Sequence, residues 1–498
     1  MSRRTVFLVL SSLLFAVLVG CEGDNESNGP TEDVTEDTST TDLSDTVPDV
    51  PAPEPGFRVG VARMDVTPDV SVPLGGYGVG GGSWENTRTS EGVHDPLMAV
   101  AFAVEDRTSG EYFIFVGLDS VGLMKPEQER IRTQFLQRYA SITGSELSAR
   151  GHITVSSSHS HACPDTVGIY SPGSGEQVGR NEAYIDSLVE NVAEAAIQAW
   201  LGRVDADLKI GHGWRDNYVD VASEENPMEM DGRLFVMGAY DEVGDLLGTA
   251  TVWGSHPTVL PEGNRALSAD WVGAFRHRME TELGGLHAHL QGAVGGVYPH
   301  QPAYQMDEDG VQEMFDACEH EDFSNEGWQD PDINPDHYRL TTCVGYDIAD
   351  VAIAALEQAE PVETTGLELL PASFDVENEN TLFYAVSLQG FLAREIPAPN
   401  SGDPLPTAHA WSRIGQLQFI TVPGEAFPRY VAGVRQRVVE NGAEEDDVVV
   451  IGLGDDWMGY LLLPEQYADD AYGYHRGLSP AHDMLERQVM AIGELLAP

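Results

Sequence analysis

In "ITVSSSHSHACPD", residues 153–165, an apolar run leads directly into His159 and His161, which alternate about one serine. Two positions apart in an extended segment, both imidazoles face the same side and can line one cavity together with Ser157. Taken alone, such a pair more often serves a strand end or a surface loop than a metal. Two further residues alter that balance. His256, in "WGSHP", follows another apolar run and precedes Pro257, which fixes the turn. Glu425, in "VPGEAF", sits at a strand-to-helix turn, where a carboxylate is also favoured simply by the helix N-terminus. Imidazoles plus one carboxylate form a donor set that zinc hydrolases use, with one position left open for water. Zn2+ is therefore the expected cofactor, and hydrolysis by metal-activated water the expected chemistry.

Other donors compete with these. His287 and His289 in "GGLHAHLQGAVGG" form a second alternating pair, but no carboxylate follows that strand. His94 precedes an apolar run, and His152 opens its strand, where imidazole commonly caps backbone. Cys163 is the softest donor nearby, yet it falls past the bend after His161, and a small buried thiol is its commoner role.

The elements that must position these groups can be read from periodicity. "YFIFVGLD", "HITVSS", "GTATVWGS", "LQFITVPG" and "DVVVIGLG" read as strands. "EQERIRTQFLQRY", "YIDSLVENVAEAAIQAWL", "GYDIADVAIAALEQA" and "PRYVAGVRQRVVENG" read as helices, the last opening on Pro428 and closing at Gly442. Alternation of the two kinds predicts an α/β fold: a mixed β-sheet core with flanking helices in one large domain, 57–498. The strands end in turn on Asp119, His159, His256, Glu425 and the pair Asp455 and Asp456, with Tyr460 just beyond. Loops at strand ends are where α/β folds collect functional groups, so the active site is expected there.

Composition places the chain in its surroundings. It has 498 residues, 42% of them hydrophobic, and 27 Lys plus Arg against 81 Asp plus Glu give a net charge of −54. Such a surface repels nucleic acid and anionic membranes at long range, so no nucleic-acid partner is expected. Residues 1–20 carry Arg3 and Arg4 before an apolar run that reaches Cys21. This is the pattern of a bacterial lipoprotein signal with Cys21 as the lipidated residue; the run, interrupted by Ser11 and Ser12, is too short to span a bilayer. Residues 21–56 contain no Lys or Arg and few large apolar side chains, which predicts a disordered acidic linker behind a membrane anchor. Glu22 after that cysteine points to the outer membrane or cell surface. Cys318 and Cys343 bracket a polar, irregular segment that a disulfide could staple in an exported protein.

The order of motifs "GVARMDVTP", "GVHDPLMAVAFAVED", "FVGLDSVGL", "VSSSHSHACP", "WGSHPTVL", "SADWVG", "VPGEAF" and "GLGDDWMGYLLLPEQY" resembles the catalytic domain of the neutral/alkaline ceramidases, zinc amidases that cleave the acyl amide of ceramide. The resemblance implies zinc ligands at His159, His256, Glu425 and Tyr460, with His161 a neighbour that positions substrate or polarises its carbonyl. It implies an acyl-amide lipid or related small molecule as substrate. Two departures stand out. Where the family has Gly-Asp-Val-Ser-Pro-Asn, this chain has Gly296, Tyr298 and His300 in place of the Asp, Ser and Asn, so acyl-serine chemistry is not expected. The family's further C-terminal β-sandwich domain is also outside the resemblance. Tyr298 or His161 would then steady the oxyanion, Asp119 and Asp270 would orient ligand imidazoles, and Arg215 would contact substrate. A surface binding protein that kept the fold but lost turnover, and a zinc esterase or lactonase, are the alternative readings.

Overall fold

Tyr112–Leu118 is apolar almost throughout and buried at every position, as a strand covered on both faces must be, whereas Phe57–Asp65 is only partly covered. Both belong to a nine-stranded sheet in the computed structural model, which describes residues 54–77, 88–147, 149–170, 180–216, 218–219, 230–299, 327–364 and 366–497. Its main strands are β1 (Phe57–Asp65), β2 (Met98–Asp106), β3 (Tyr112–Leu118), β4 (Gly151–Ser157), β5 (Val204–Trp214), β6 (Arg233–Asp241), β7 (Leu246–Trp253) and β8 (Leu286–Gln291). Hydrogen bonding runs in the order β8-β7-β6-β5-β1-β2-β3-β4, with Glu360–Pro361 added beside β5. A second sheet holds β9 (Leu367–Glu377), β10 (Pro404–Ile414), β11 (Leu417–Thr421) and β12 (Val448–Ile451) in that order.

Within these two sheets most neighbours are antiparallel, but three pairs are parallel: β3 with β4, β7 with β8, and β11 with β12. A parallel pair needs a crossover, and each has a helix. These are α1 (Lys125–Thr143), α3 (Trp271–Leu283) and α5 (Pro428–Val439), the last with Pro428 at its first position after an extended Phe427. In such units the carboxyl ends of the strands face one side, where ligands bind. The six ends here deliver Asp119, His159, His256, Gln291, Glu425 and Asp455.

What brings separate ends together is tight packing. Although β8 stands at one limit of the hydrogen-bonding order, it lies against β3 and β4 near the other limit. Gly117 is needed for that approach, because a β-carbon there would collide with the His289 carbonyl. Phe419 of β11 docks the second sheet on the first, with ring centroids 5.0 Å from Phe115 and 5.6 Å from Phe235. Each buried phenylalanine contributes roughly 1.5–3 kcal/mol. Helix α2 (Glu182–Leu201) covers β1 and β2 with a face of Ala193, Ala196 and Ala199, small enough for close approach.

The expected α/β class and all five expected strands are present. Residues Ala52–Pro498 form one compact unit. Among the described residues no helix is long and apolar enough to cross a membrane. The signal segment, Cys21, the acidic linker to residue 53, His300 and Cys318 lie outside the described residues. Cys343 is buried on helix α4 (Pro335–Glu357), so its pairing with Cys318 stays an expectation.

Asp455 ties β12 to β4. It is buried and adopts φ 67°, and its carboxylate accepts from His152 Nε2 at 2.8 Å, Thr154 Oγ1 at 2.8 Å and Thr421 Oγ1 at 2.7 Å, and pairs with Arg132. Burial works to raise its pKa, but His152, Arg132 and the hydroxyl donors prevail and hold it well below the usual range. A carboxyl depressed in the folded state stabilises above its unfolded pKa of about 3.9, and that stabilisation is lost as pH falls further. Asp455→Asn, which tolerates the left-handed backbone, should lower stability at pH 7 by about 3–5 kcal/mol in urea unfolding. The deficit should shrink as the pH is taken below about 4.

Candidate metal centre

His159 leaves β4 with a backbone φ of 67°, a left-handed conformation that costs a non-glycine residue energy. The turn is held by its N–H donating to the Ser120 carbonyl at 2.9 Å and by the Ser158 N–H donating to Leu118 O at 2.7 Å. His161 is then tied to the next loop, its N–H reaching Pro257 O at 3.3 Å, while Arg88 donates to the His161 carbonyl at 2.8 Å. His256 is anchored at the end of β7 through Val297 O, which accepts from its N–H at 2.8 Å and meets its Nδ1 at 3.0 Å. Glu425 pairs in backbone register with Tyr460 in a short parallel bridge.

These loops bring three imidazoles together. Ring centroids lie 4.8 Å apart for His159 and His256, 5.0 Å for His159 and His161, and 5.4 Å for His161 and His256. One nitrogen from each falls within 4.8 Å of the others, all three residues being buried. The Glu425 Oε2 atom is 3.1 Å from His159 Nε2 and 3.7 Å from His256 Nε2. Its other oxygen accepts from Trp457 Nε1 at 3.2 Å, which aims Oε2 at the histidines. The His159 Nδ1 is matched to the Val121 carbonyl, so that ring presents Nε2 to the cluster.

Electrostatics agree with a cation-binding role. Burial opposes charge on Glu425, yet His159 and His256 hold its carboxyl well below the usual range, so it stays ionised. Burial, reinforced by the neighbouring His159 and His256, pushes His161 well below the usual imidazole range. Burial likewise lowers His256, with Glu425 opposing. Among the described residues, both ring nitrogens of His161 and the Nε2 of His256 have no hydrogen-bond partner. Buried lone pairs left unmatched cost about 1–3 kcal/mol each, a cost that a bound cation removes. Neutral imidazoles and an ionised carboxylate are the donors zinc takes, so the residues fit that ion.

Residues 57–298 match the family model for the neutral/alkaline non-lysosomal ceramidase N-terminal domain. These residues belong to this family. Family and fold support a ceramidase-like hydrolase. Among solved structures, neutral ceramidase from Pseudomonas aeruginosa superposes with a TM-score of 0.66 at 16% identity, covering 89% of this chain and 74% of that one. A ceramidase complexed with C2 gives 0.65 at 16% identity, covering 89% and 75%. At that identity the likeness shows the shared fold. No curated protein matches the chain.

Set against this ceramidase-family frame, the expected residues sort unevenly. His159, His256 and Glu425 converge, and Tyr460 lies beside Glu425 in the backbone pairing. Burial first, and Glu425 next, keep the Tyr460 phenol well above its ordinary pKa. His161, expected on the substrate side, sits in the same cluster at metal-ligating reach. The reason is the turn at His159: the segment is not extended, so the two histidines meet through a bend. Gly76, at φ 89°, makes room for His161, because a β-carbon there would run into the ring. Tyr298 stacks on His256 with centroids 4.9 Å apart and an 18° tilt.

Two carboxylates are corrected. Asp119 does not orient an imidazole: both oxygens hold Arg276, at 2.9 and 2.5 Å, and one also accepts from Met98 N. The orienting acceptors are instead the Val121 and Val297 carbonyls. Asp270 caps α3, accepting from Trp271 N at 2.7 Å and from Leu260 N at 2.9 Å, and so braces the chain after His256 rather than its ring. Its carboxyl is pushed up to about 7 by burial, against those backbone donors. Arg215 is half-buried, near Asp347 at 3.9 Å, and no described contact joins it to the histidines. Cys163 is buried with a free thiol directed at the Ser268 carbonyl, outside the cluster. His287 and His289 are core residues, the first on Thr249 and Gly284, the second between Trp271 and Phe275.

Sequence reading passed over Trp457. The apolar patterning around "DDWMGY" gives no cue that an indole N–H would meet a carboxylate from another strand. For Asp119 the expectation is structural: Asp119→Ala leaves the buried Arg276 charge unmatched and should cost about 3–5 kcal/mol in chemical unfolding. The zinc stoichiometry of the fraction that remains folded should be unchanged by elemental analysis.

Proposed function

We propose that this chain hydrolyses N-acyl amide bonds, with ceramide or a related acylated lipid as substrate, using zinc held by His159, His256 and Glu425 with Tyr460 beside them. The observation that carries the reading is the buried cluster itself, in which unmatched imidazole nitrogens surround one ionised carboxylate. Zinc bound there supplies a Lewis acid that polarises a carbonyl and brings the pKa of water towards neutrality.

The chain's own residues support attack by water. Among the described residues no serine hydroxyl is hydrogen-bonded to His159, His161 or His256, so there is no nucleophile and base in contact. Tyr298, which the motif resemblance sets where the family has its serine, lies flat on His256. His161 stays neutral and has no hydrogen-bond partner, which suits it to steady charge developing on the acyl oxygen. It is set edge-on to Tyr77, at 4.6 Å between centroids, and Arg88 holds its carbonyl. Glu425, fixed by Trp457, keeps its negative charge on the histidine side. We also propose that lipid on Cys21 carries the enzyme at the outer membrane or cell surface, with the acidic segment as a spacer.

The stacked Tyr298 also favours a second reading, a surface binding protein without turnover. Purified protein should bind one zinc per chain and release fatty acid from short- or long-chain N-acyl substrates. A strong chelator should abolish that activity, and added zinc should restore it. His159→Ala should lose at least tenfold in zinc affinity. Tight zinc binding with no hydrolysis of amide, ester or lactone substrates would favour the binder; His159→Ala with full zinc and full activity would refute the site.

A further inference from the structure

Gln291 closes β8 and is fully buried. Its side-chain amide spans two loops. The Nε2 group donates to the Ser158 carbonyl at 2.5 Å and to the Ser255 carbonyl at 2.8 Å, and Oε1 accepts from Ser255 N at 3.2 Å. Two carbonyls face one end of the amide and an N–H the other, so only one amide orientation satisfies all three partners. Ser158 and Ser255 immediately precede His159 and His256. Among the described residues their own hydroxyls have no hydrogen-bond partner, so their side chains do not set the position of these residues.

The main chain of Gln291 reaches β4 again and one further strand end, that of β12. Its N–H donates to Ser156 Oγ at 3.0 Å, and its carbonyl accepts from Gly452 N at 2.8 Å. Ser156 Oγ in turn donates to Gly452 O at 2.8 Å. A β-carbon at Gly452 would collide with the Gly292 carbonyl, so the strand ends have no slack at this point.

From this geometry we infer that Gln291 is a positioning residue for the metal centre: its amide fixes the separation of the two histidine loops and thereby sets affinity for zinc. The inference rests on the metal reading above. An apolar residue of equal length would fill the same space but leave two buried carbonyls unpaired, and each loop could relax away from the other. The ligand nitrogens would then no longer be held at one spacing before the ion arrives. A partner that orients ligands without touching the ion typically changes affinity by 10–100-fold.

The test compares chelator-treated wild-type protein with Gln291→Met and Gln291→Glu, titrating zinc alone by calorimetry and recording urea unfolding of the zinc-free form. Gln291→Glu keeps the shape and turns an acceptor towards both carbonyls. The expected result is zinc binding at least tenfold weaker in both variants, with native circular dichroism. Ser156→Ala, which removes the acceptor of the Gln291 N–H and the link to Gly452 O but leaves the side-chain amide clasp intact, should lower the unfolding midpoint while leaving zinc affinity within twofold. Unchanged zinc affinity in a folded Gln291 variant would overturn the inference and leave the hydrolase reading intact. Loss of folding in both variants would also overturn it, since the amide would then be supporting the core as a whole. Wild-type protein that bound no zinc would remove both readings together.

Discussion

The buried contact between Glu425 and His159, 3.1 Å between Oε2 and Nε2, is the interaction on which the rest of the arrangement depends. Two ionisable groups with almost no exposure are stable only where something meets their remaining hydrogen-bonding capacity. Here a valine carbonyl takes the far nitrogen of the imidazole and an indole N–H takes the far oxygen of the carboxylate. What the protein leaves unmatched is concentrated on one side, in the rings of His161 and His256. A pocket with surplus lone pairs and one fixed negative charge could hold a cation.

Holding that contact requires the ends of strands from two sheets to meet. Each parallel pair with its crossover helix brings its own carboxyl ends to one side, but nothing within a single pair determines where another pair's ends lie. Glycines allow the missing closeness: Gly117 lets β8 approach β3, and Gly452 lets the second sheet approach the loop after β8. Charged anchors then hold the assembly. Arg276 with Asp119 braces α3 against the end of β3, and Asp455 joins β12 to β4 through His152, Thr154 and Arg132. Both anchors stand at strand ends, where sequence reading looks for function, although here they carry load between elements.

Much of the fold was legible in the chain because strand and helix periods are local properties. The runs at 112–118, 151–157 and 417–421 are short and rich in β-branched or aromatic residues, as strands are, and Pro428 suits the first position of a helix. His159, His256 and Glu425 could be picked out because each follows such a run. The roles of Asp119 and Asp270 could not, since a carboxylate after a strand looks the same whether it meets an imidazole, an arginine or a helix N-terminus. That His159 and His161 line one cavity was expected from an extended segment, whereas the structure brings them together through a left-handed residue at 159. Trp457 and Gln291 carry no local signal at all: their partners lie 32 residues away in one case and 133 and 36 in the other.

By itself the sequence determined the element types, the candidate donor residues and the family resemblance, because these depend on side-chain chemistry and on patterns a few residues long. Which donors share a pocket, which acids merely brace the scaffold, and how the loops before His159 and His256 are clasped were decided only by tertiary structure. Those outcomes depend on distances between strand ends far apart in the chain, and such distances are set by packing across sheets and by the balance of buried polar groups. Neither leaves a mark in local periodicity.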